Sequence, residues 1–377
     1  MTQNHGNQDQ GAQGPQPKPG VLRIHAYVGG AAQTKSGKPA VKLSSNENPL
    51  GASPAAKAAY ETAARSLPIY PEGSARILRE AIAEAEGLDP ARIVCGAGSD
   101  DILALLAKAY SGEGDEVIHT RHGFSVYPIA ALTAGAEPIM ADETDLRADV
   151  DKILDLCTPR TKLVFLANPN NPTGTYLSIK EMARLRAELP PQVLLVVDEA
   201  YAEFAEAGDF GSALKTVETR EDLVVTRTFS KIHGLAGLRV GWGYMPLAVA
   251  DALHRIRGPF NTSIPAQMAG AAAIRDRAHI EASRNHVLRW RSWLAQALGG
   301  IGIEATPSQA NFLLLRFDPE GPRSAPAADA WLQERGLILR RMEGYGLPDR
   351  LRLSIGREED NRAVVEALAQ FMTENHQ

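Results

Sequence analysis

The stretch TKLVFLANPNNPTG, residues 161–174, indicates the fold of this chain. Its first half, TKLVFLA, is an apolar run without strict polar alternation, which is typical of a parallel strand covered on both faces. The run leads into Asn168, and the Asn, Pro, Thr and Gly residues that follow are typical of a turn. The stretch therefore predicts a buried strand that enters a polar loop at one edge of a sheet.

Two later stretches repeat this pattern of a buried strand with a polar end. LLVVDEAY, residues 194–201, runs into Asp198, and DLVVTRTFSK, residues 222–231, runs into Lys231. The runs RIVCGAG, DEVIHT and RVGWGYMP are similar, and helical patterns separate them. Such alternation predicts a doubly wound α/β sheet. Because ligands bind at the carboxyl edge of these sheets, the polar ends mark the candidate site.

The chain after Arg257 has a different pattern, which predicts a separate and smaller α+β unit. The Ala- and Arg-rich residues 266–298 predict one long helix, and further helices are expected near residues 325–335 and 358–374. The predicted parts are a disordered tail rich in Gln, Gly and Pro (1–20), an N-terminal arm with part of the small domain (21–60), the large domain (61–260) and the small C-terminal domain (261–377).

Composition and charge exclude several classes of partner. The chain has 377 residues, of which 44% are hydrophobic, with a net charge of −5 and a pI near 6.0. These values provide no basic surface for nucleic acid or an anionic membrane, so small-molecule partners are expected. Cys95 and Cys157 match neither a disulfide framework nor a metal-ligand pattern. Since we find neither a signal peptide nor an apolar run of membrane-spanning length, we expect a cytoplasmic protein.

Lys231, Asp198, Asn168 and Tyr201 together indicate a specific chemistry. A lysine amine at the ligand edge can form a Schiff base with an aldehyde, and pyridoxal phosphate supplies one. That cofactor needs a carboxylate beside its ring nitrogen, which Asp198 can provide. Its phenolic oxygen needs neutral donors, for which Asn168 and Tyr201 are the candidates.

The phosphate of that cofactor would need a helix N-terminus and a cation. GAGSDDILALL, residues 96–106, places Gly98 and Ser99 where a strand leads into a helix. Ser230 and Arg239 could complete this cradle for the phosphate.

Rival sites fit the sequence less well. Residues 96–106 lack the third glycine of a dinucleotide fingerprint, and Ser230-Lys231 is not the Ser-x-x-Lys pattern of a serine nucleophile. His122 and His233 have no metal-ligand spacing, so we interpret both as polar lining or loop residues and expect no metal.

Ordered motifs then carry a family resemblance: LSSNENPLGASP, IYPEGS, GAGSDD, HGFSVYPIAALTAGA, NPNNPTG, DEAY, TFSK, GLR, PSQANFLLLR and LRLSIGREEDN. They resemble the fold-type I pyridoxal-phosphate aminotransferases, and more narrowly the class II histidinol-phosphate aminotransferases and their aromatic relatives. The resemblance extends from about residue 21 to the end. It implies a large domain with a mostly parallel, seven-stranded-type sheet between helices, a smaller α+β domain, and a homodimer with composite active sites.

The resemblance also implies a role for each residue of the site. Lys231 would be the Schiff-base lysine and then the base that moves the substrate's proton. Asp198 would hold the pyridine nitrogen, and both it and Tyr201 would join Lys231 as catalytic residues. The other implied cofactor contacts are Gly98, Ser99, Asp100, Ser230 and Arg239 at the phosphate and its loop, Asn168 and Tyr201 at the phenolic oxygen, Phe124 stacked on the ring, and Tyr70 from the neighbouring subunit.

Substrate contacts are implied for four residues. Arg352 of LRLSIG resembles the family's carboxylate clamp, and Arg340 of LILRR resembles the residue that reaches a phosphate or second anionic group. Tyr27 of IHAYVGG would line the substrate pocket, and Asn168 would contact the substrate as well as the cofactor. One departure is His122-Gly123, which stands where many relatives have Pro-Thr before the stacking aromatic.

The activity that this resemblance implies is transfer of an amino group from histidinol phosphate to 2-oxoglutarate, which yields imidazole acetol phosphate and glutamate in histidine biosynthesis. The alternative on the same framework is an aromatic amino-acid aminotransferase. A decarboxylase of an amino-acid phosphate ranks lower. A cofactor-binding sensor joined to a DNA-binding segment ranks last, because the polar tail is too short for a helix-turn-helix.

Overall fold

The computed structural model describes residues 15–26 and 40–374, so most of the predicted tail and Tyr27 lie outside the described residues. The strands within those ranges are β1 Val41–Lys42, β2 Ile93–Gly96, β3 Glu116–Thr120, β4 Glu137–Ala141, β5 Glu143–Thr144, β6 Arg147–Ala148, β7 Thr161–Ala167, β8 Leu194–Asp198, β9 Leu223–Thr228, β10 Gly241–Tyr244, β11 Glu304–Thr306, β12 Phe312–Arg316, β13 Leu337–Ile338, β14 Arg340–Arg341 and β15 Arg350–Ser354. The α-helices there are α1 Pro19–Leu22, α2 Pro54–Ala63, α3 Arg76–Glu86, α4 Ser99–Tyr110, α5 Val126–Ala134, α6 Val150–Asp155, α7 Ile179–Glu188, α8 Leu214–Val217, α9 Leu247–Ile256, α10 Ile264–Arg275, α11 Arg277–Gly300, α12 Ala325–Glu334 and α13 Glu358–Glu374.

The large unit is built on one seven-stranded sheet in the order β2-β10-β9-β8-β7-β3-β4. The strands β9, β8, β7, β3 and β4 run parallel to their neighbours, so the prediction of a mostly parallel sheet is confirmed. The exception is β10, which is antiparallel to both β9 and β2. Its direction follows from its connection, because residues 229–240 contain only a single 3-10 turn instead of the crossover helix that a parallel strand would need.

The two cores divide later in the chain than the sequence predicts. The predicted helix over residues 266–298 is in fact two helices, α10 and α11, because Asp276 stops the first and caps the second by accepting the His279 N–H at 3.1 Å. The Ala-rich α10 packs into the core of the large unit, whereas α11 contributes Val287 and Trp290 to the second core. The predicted boundary at residues 260 and 261 therefore precedes the actual change of core.

The small unit is a four-stranded antiparallel sheet in the order β11-β12-β15-β14, covered by α11, α12 and α13. The helices α12 and α13 lie within a residue of their predicted positions. Strand β1 pairs in parallel with β13, which attaches the segment after residue 40 to this unit. That segment then crosses to the large unit, where the Asn48 side chain donates to the Ile232 carbonyl at 2.7 Å.

The described part of the N-terminal segment contacts the large unit. The short helix α1 begins at Pro19, so the predicted end of the tail at residue 20 falls inside its first turn. Arg23 follows α1 and pairs with Glu137 of β4, with 2.6 Å between nitrogen and oxygen. Of the helices in residues 15–26 and 40–374, none has both the length and the apolar character to cross a membrane.

Candidate active site

A cavity of about 490 Å³ lies between the two units at the carboxyl edge of the seven-stranded sheet. Strands β7, β8 and β9 are parallel and in register, with Ala167 opposite Asp198 and Asp198 opposite Thr226, so their polar ends reach the same level. Ten predicted site residues line this cavity: Ser99, Asp100, Phe124, Asp198, Tyr201, Ser230, Lys231, Arg239, Arg340 and Arg352.

Lys231 lies in the loop after β9, with its amine inside the cavity. Its Nζ donates a hydrogen bond to the Ser45 carbonyl at 2.8 Å. Burial, together with the positive charge of Arg352, lowers the pKa of this amine to about 7. A large share of the amine is therefore uncharged near neutral pH, and the uncharged amine is the form that can attack a carbonyl carbon.

Asp198 is a buried carboxylate at the end of β8. The Tyr127 hydroxyl donates to its Oδ2 at 3.0 Å, and the Thr226 hydroxyl donates to its Oδ1 at 3.1 Å. Burial raises the pKa of Asp198 to about 6, and these two hydrogen bonds oppose that rise. A buried carboxylate of this kind is stabilised by a cationic group placed beside it, such as a protonated ring nitrogen.

Tyr201 lies three residues after Asp198 and lines the same cavity. The Asn46 side-chain amide donates to its hydroxyl oxygen at 3.0 Å, and its ring meets the edge of Phe312 with 5.3 Å between centroids. Burial raises the pKa of Tyr201 to about 12, so the hydroxyl keeps its proton and remains a neutral donor.

A candidate anion cradle lies where α4 begins. Gly98 precedes the helix with φ +102°, and a Cβ added there would lie 2.2 Å from Asp100 Oδ1 and 2.5 Å from an Arg239 nitrogen. The Arg239 guanidinium donates to Asp100 Oδ1 at 3.0 Å and to Ser230 Oγ at 3.4 Å. Gly98, although not a lining residue, therefore allows a cation to approach the free N–H groups of a helix N-terminus, which is an anion-binding arrangement.

The prediction for Asn168 is wrong. Its Oδ1 accepts the Leu177 N–H at 2.8 Å and its Nδ2 donates to the Leu177 carbonyl at 3.1 Å, so the side chain closes the loop instead of facing the cavity. Asn171 lines the cavity in its place, with its Oδ1 accepting a hydrogen bond from Arg352. The turn geometry of the Asn-Pro-Asn-Asn-Pro run decides which asparagine faces the ligand, and the composition of the run does not reveal it.

Arg340 and Arg352 are cross-strand neighbours at the other end of the cavity. They stand directly opposite each other in the β14–β15 pair. Arg352 is buried, and it donates to the Ser44 carbonyl at 2.8 Å and lies over the Phe312 ring at 5.3 Å. Both arginines line the cavity, and a guanidinium group can bind a carboxylate or a phosphate through two parallel hydrogen bonds. The pair is therefore suited to a ligand with more than one anionic group.

The other wall of the cavity contains the predicted Phe124 together with residues that the sequence did not reveal. Phe124 meets the edge of Tyr127 with 5.9 Å between centroids, and Val126 and Ile129 of α5 add apolar surface beside it. Tyr345 faces them from the small unit, with its hydroxyl 3.4 Å from Ser125 Oγ. Because Tyr345 lies more than two hundred residues from this wall in sequence, only the packing of the two units brings them together.

The two histidines lie outside the cavity lining. His122 is held by Glu143, whose carboxylate accepts the backbone N–H at 3.1 Å and lies 2.7 Å from the ring Nδ1. His233 is buried against Phe229, with 4.8 Å between ring centroids, and burial lowers its pKa to about 3. The interpretation as polar lining or loop residues therefore fits His122, which is a loop residue, but not His233, which is a core residue.

Tyr70 also lies away from the cavity of its own chain. Its side chain is 80% exposed and stacks on Phe260, with 4.6 Å between ring centroids. Leu67 and Ile69 are exposed beside it in the sequence. This exposed apolar cluster is unusual for a protein surface, which marks it as a candidate contact region.

A second cavity, of about 550 Å³, lies near the β5–β6 hairpin. Both arginines that line it are already paired with carboxylates, Arg147 with Glu181 and Arg184 with Asp151. Volume alone therefore does not identify the site. The cavity that contains Lys231 and Asp198 has the perturbed pKa values that accompany catalysis.

Comparisons with known proteins agree with this geometry. Residues 38–368 match the family model for aminotransferase class I and II. The chain is 54% identical over 361 residues to a histidinol-phosphate aminotransferase of Rhodopseudomonas palustris (strain BisB18), covering 96% of this chain and 99% of the relative. It is 52% identical to a protein of the same name from Nitrobacter winogradskyi, with 95% and 98% covered.

Solved structures are similar over nearly the whole chain. The crystal structure of histidinol-phosphate aminotransferase from Sinorhizobium meliloti in complex with pyridoxal-5'-phosphate superposes with a TM-score of 0.88 at 25% identity, covering 96% of this chain and 99% of that one. A mutant of Thermus thermophilus aspartate aminotransferase has a TM-score of 0.79 at 26% identity, covering 89% and 93%.

Proposed function

The chain belongs to the class I and II aminotransferase family, and from this premise we propose that it transfers the amino group of histidinol phosphate to 2-oxoglutarate with pyridoxal phosphate as its cofactor. The products are imidazole acetol phosphate and glutamate. The observation that carries the proposal is the Arg340–Arg352 pair, which lies in one cavity with Lys231 and Asp198. The name that the relatives share supports the same substrate.

The residues of the cavity fit pyridoxal phosphate. Lys231 provides an amine of lowered pKa, Asp198 provides the buried carboxylate, and the cradle at Gly98 and Arg239 provides an anion site. A volume of about 490 Å³ is ordinary for a site that holds a small cofactor and its substrate. When bound, the cofactor carries the amino group between the two substrates and withdraws electrons from the carbon that loses its proton.

The chain's own residues supply binding, orientation and proton transfer. The Lys231 amine removes the proton from the substrate carbon and returns a proton in the second half of the reaction, a role suited to a pKa of about 7. Asp198 keeps the ring nitrogen of the cofactor protonated. Asn171 and Tyr201 donate to the phenolic oxygen of the cofactor. Because a guanidinium can only donate, the side-chain oxygen of Asn171 faces Arg352, and the NH₂ group of Asn171 is left as a donor.

Substrate recognition divides between the two arginines. Buried Arg352, held by Asn171 and Ser44, binds the α-carboxylate of glutamate or 2-oxoglutarate. Arg340 on the neighbouring strand binds the phosphate of histidinol phosphate, or the second carboxylate of the dicarboxylic partner. One site can therefore accept the amino donor, histidinol phosphate, and then the acceptor, 2-oxoglutarate, as a ping-pong reaction requires.

Replacing Arg340 with glutamine tests the substrate. We expect kcat/KM for histidinol phosphate to fall about 100-fold, since a charged hydrogen-bond partner of the phosphate is lost. Phenylalanine has no second anionic group, so its smaller rate should change no more than about threefold. The measurement is the single half-reaction of purified enzyme, followed through the absorbance of the bound cofactor, with each amino donor in turn.

Arg341→Gln is the matched control, because Arg341 is the next residue on the same strand and is exposed beside Glu343. A wild-type preference for phenylalanine, or equal losses for both donors in Arg340→Gln, would favour the aromatic aminotransferase instead. Release of carbon dioxide without amino transfer would favour the decarboxylase.

We also propose a homodimer in which Tyr70 enters the active site of the partner subunit. Support comes from the exposed apolar cluster around Tyr70, which lies outside the cavity of its own chain. Lys231→Ala and Tyr70→Ala should each be poorly active alone. Mixed dimers of the two contain one intact site, so an equal mixture refolded together should recover about a quarter of the wild-type activity. Mixtures that stay inactive, or a monomer by sedimentation, would contradict the composite site.

A further inference from the structure

Asn46 is a buried residue with an unusual backbone, and the reaction described above gives it no role. It follows β1 in the segment that passes between the two units and lines the cavity, with only 1% of its surface exposed. Its φ of +57° places it in the left-handed region, which is disfavoured for residues other than glycine and best tolerated by Asn and Asp.

The hydrogen bonds around Asn46 fix the orientation of its side-chain amide. Its backbone N–H donates to Ser354 Oγ at 2.8 Å. Because that oxygen accepts from the backbone, the Ser354 proton is free to donate to Asn46 Oδ1, which lies 2.9 Å away. The amide oxygen therefore faces Ser354, and the amide nitrogen faces the Tyr201 hydroxyl at 3.0 Å.

This orientation decides what the Tyr201 hydroxyl can do. An amide NH₂ group donates and does not accept, so the Tyr201 oxygen is the acceptor in this contact. The Tyr201 proton cannot point at Asn46, and it is left for an acceptor inside the cavity that Tyr201 lines. Asn311 holds the Asn46 carbonyl at 3.0 Å, which keeps the whole residue in place.

We infer that Asn46 is a positioning residue that turns the Tyr201 hydroxyl proton into the cavity, toward the phenolic oxygen of the bound cofactor. The inference rests on the proposed function, since it requires Tyr201 to contact that oxygen. The Ser354–Asn46–Tyr201 chain joins the small unit to the large unit, so the direction of this proton depends on both units being in place.

Asn46→Asp is the sharpest test, because aspartate has nearly the same shape and tolerates the same backbone conformation. A carboxylate accepts where the amide donated, so the Tyr201 proton turns away from the cavity toward residue 46. An O–H donor stabilises an anionic oxygen, and its loss should raise the pH midpoint of the visible absorbance of the bound cofactor by about one pH unit. We expect kcat to fall about tenfold in the same full-length holoenzyme, with a smaller change in KM.

The same substitution in a Tyr201→Phe background is the control. If Asn46 acts through the Tyr201 hydroxyl, Asn46→Asp should move the absorbance midpoint by less than about 0.2 pH units in that background. A shift of equal size in both backgrounds would mean that the new charge acts directly and would overturn the inference. If the single variant Asn46→Asp shows no shift of the absorbance midpoint, the inference is overturned as well.

Ser354→Ala provides a second test that introduces no charge. Without the serine hydroxyl the amide of Asn46 can reverse, so the midpoint should rise in the same direction by a smaller amount, and an unchanged midpoint would argue against the inference. If Tyr201→Phe itself leaves the midpoint unchanged, the proposed contact of Tyr201 with the cofactor fails. If the absorbance midpoint shifts in Tyr201→Phe but in neither Asn46→Asp nor Ser354→Ala, only the role of Asn46 is overturned.

Discussion

Replacement of Lys231 by alanine should abolish transamination, with a loss in kcat on the order of 10⁴-fold or more. In the proposed mechanism the same amine has two tasks, since it would hold the cofactor covalently between reactions and would move the proton of the substrate carbon. The cavity lowers its pKa to about 7 for both tasks, and no second lysine lines the cavity among the described residues. Single-turnover measurements with histidinol phosphate, followed by product analysis, would give the residual rate.

The matched control for this substitution is Lys180→Ala. Lys180 is exposed on α7, so its loss should leave kcat within about twofold of the wild type. The anion cradle at Gly98 and Arg239 does not involve Lys231, and Lys231→Ala should therefore still bind pyridoxal phosphate, though without the covalent bond. Turnover in Lys231→Ala above about one per cent of the wild type would exclude the proposed mechanism.

Replacement of Asp198 by asparagine should lower kcat by about 10²-fold to 10³-fold. In the proposed mechanism the Asp198 carboxylate would keep the ring nitrogen of the cofactor protonated, and a neutral amide would not, so electron withdrawal from the substrate carbon should be weaker. The fold should be retained, because the Tyr127 and Thr226 hydroxyls can still donate to the remaining oxygen. The measurement is kcat together with thermal unfolding of the same preparations.

Asp209→Asn is the control for the change of charge, since Asp209 is exposed and its carboxylate accepts a hydrogen bond from the Tyr176 hydroxyl, which an amide oxygen can also accept. Its kcat should match the wild type. A nearly normal kcat in Asp198→Asn would show that this carboxylate has no part in the chemistry. A strongly lowered melting temperature would mean that the lower rate comes from a destabilised fold.

The sequence was sufficient for the parts of the fold that depend on local pattern. Uninterrupted apolar runs identified β7, β8 and β9, and their polar ends correctly placed Asp198 and Lys231 at one edge. Helical periodicity located α12 and α13 to within a residue. These features are local, because a strand between two layers must be apolar along its whole length, and a parallel strand can deliver its end to only one edge.

Local pattern was insufficient where a cap or a turn competes with it. The Ala-rich stretch has helical periodicity on both sides of Asp276, yet that residue ends one helix and caps the next. Among the asparagines after β7, the turn directs Asn168 to the Leu177 backbone and Asn171 to the cavity. In each case a hydrogen bond between a side chain and the backbone overrides the expectation from periodicity or motif.

The amino-acid sequence by itself determined the class of fold and the position of Lys231 and Asp198 at one edge of the sheet, because these depend on apolar runs and on the residues that follow them. Only the tertiary structure placed Arg340 opposite Arg352, and only it directed the Asn46 amide to Tyr201, a residue 155 positions away. The physical reason is that charge pairing and hydrogen-bond direction depend on distances of a few ångströms between the two units, and these distances exist only after both cores have packed.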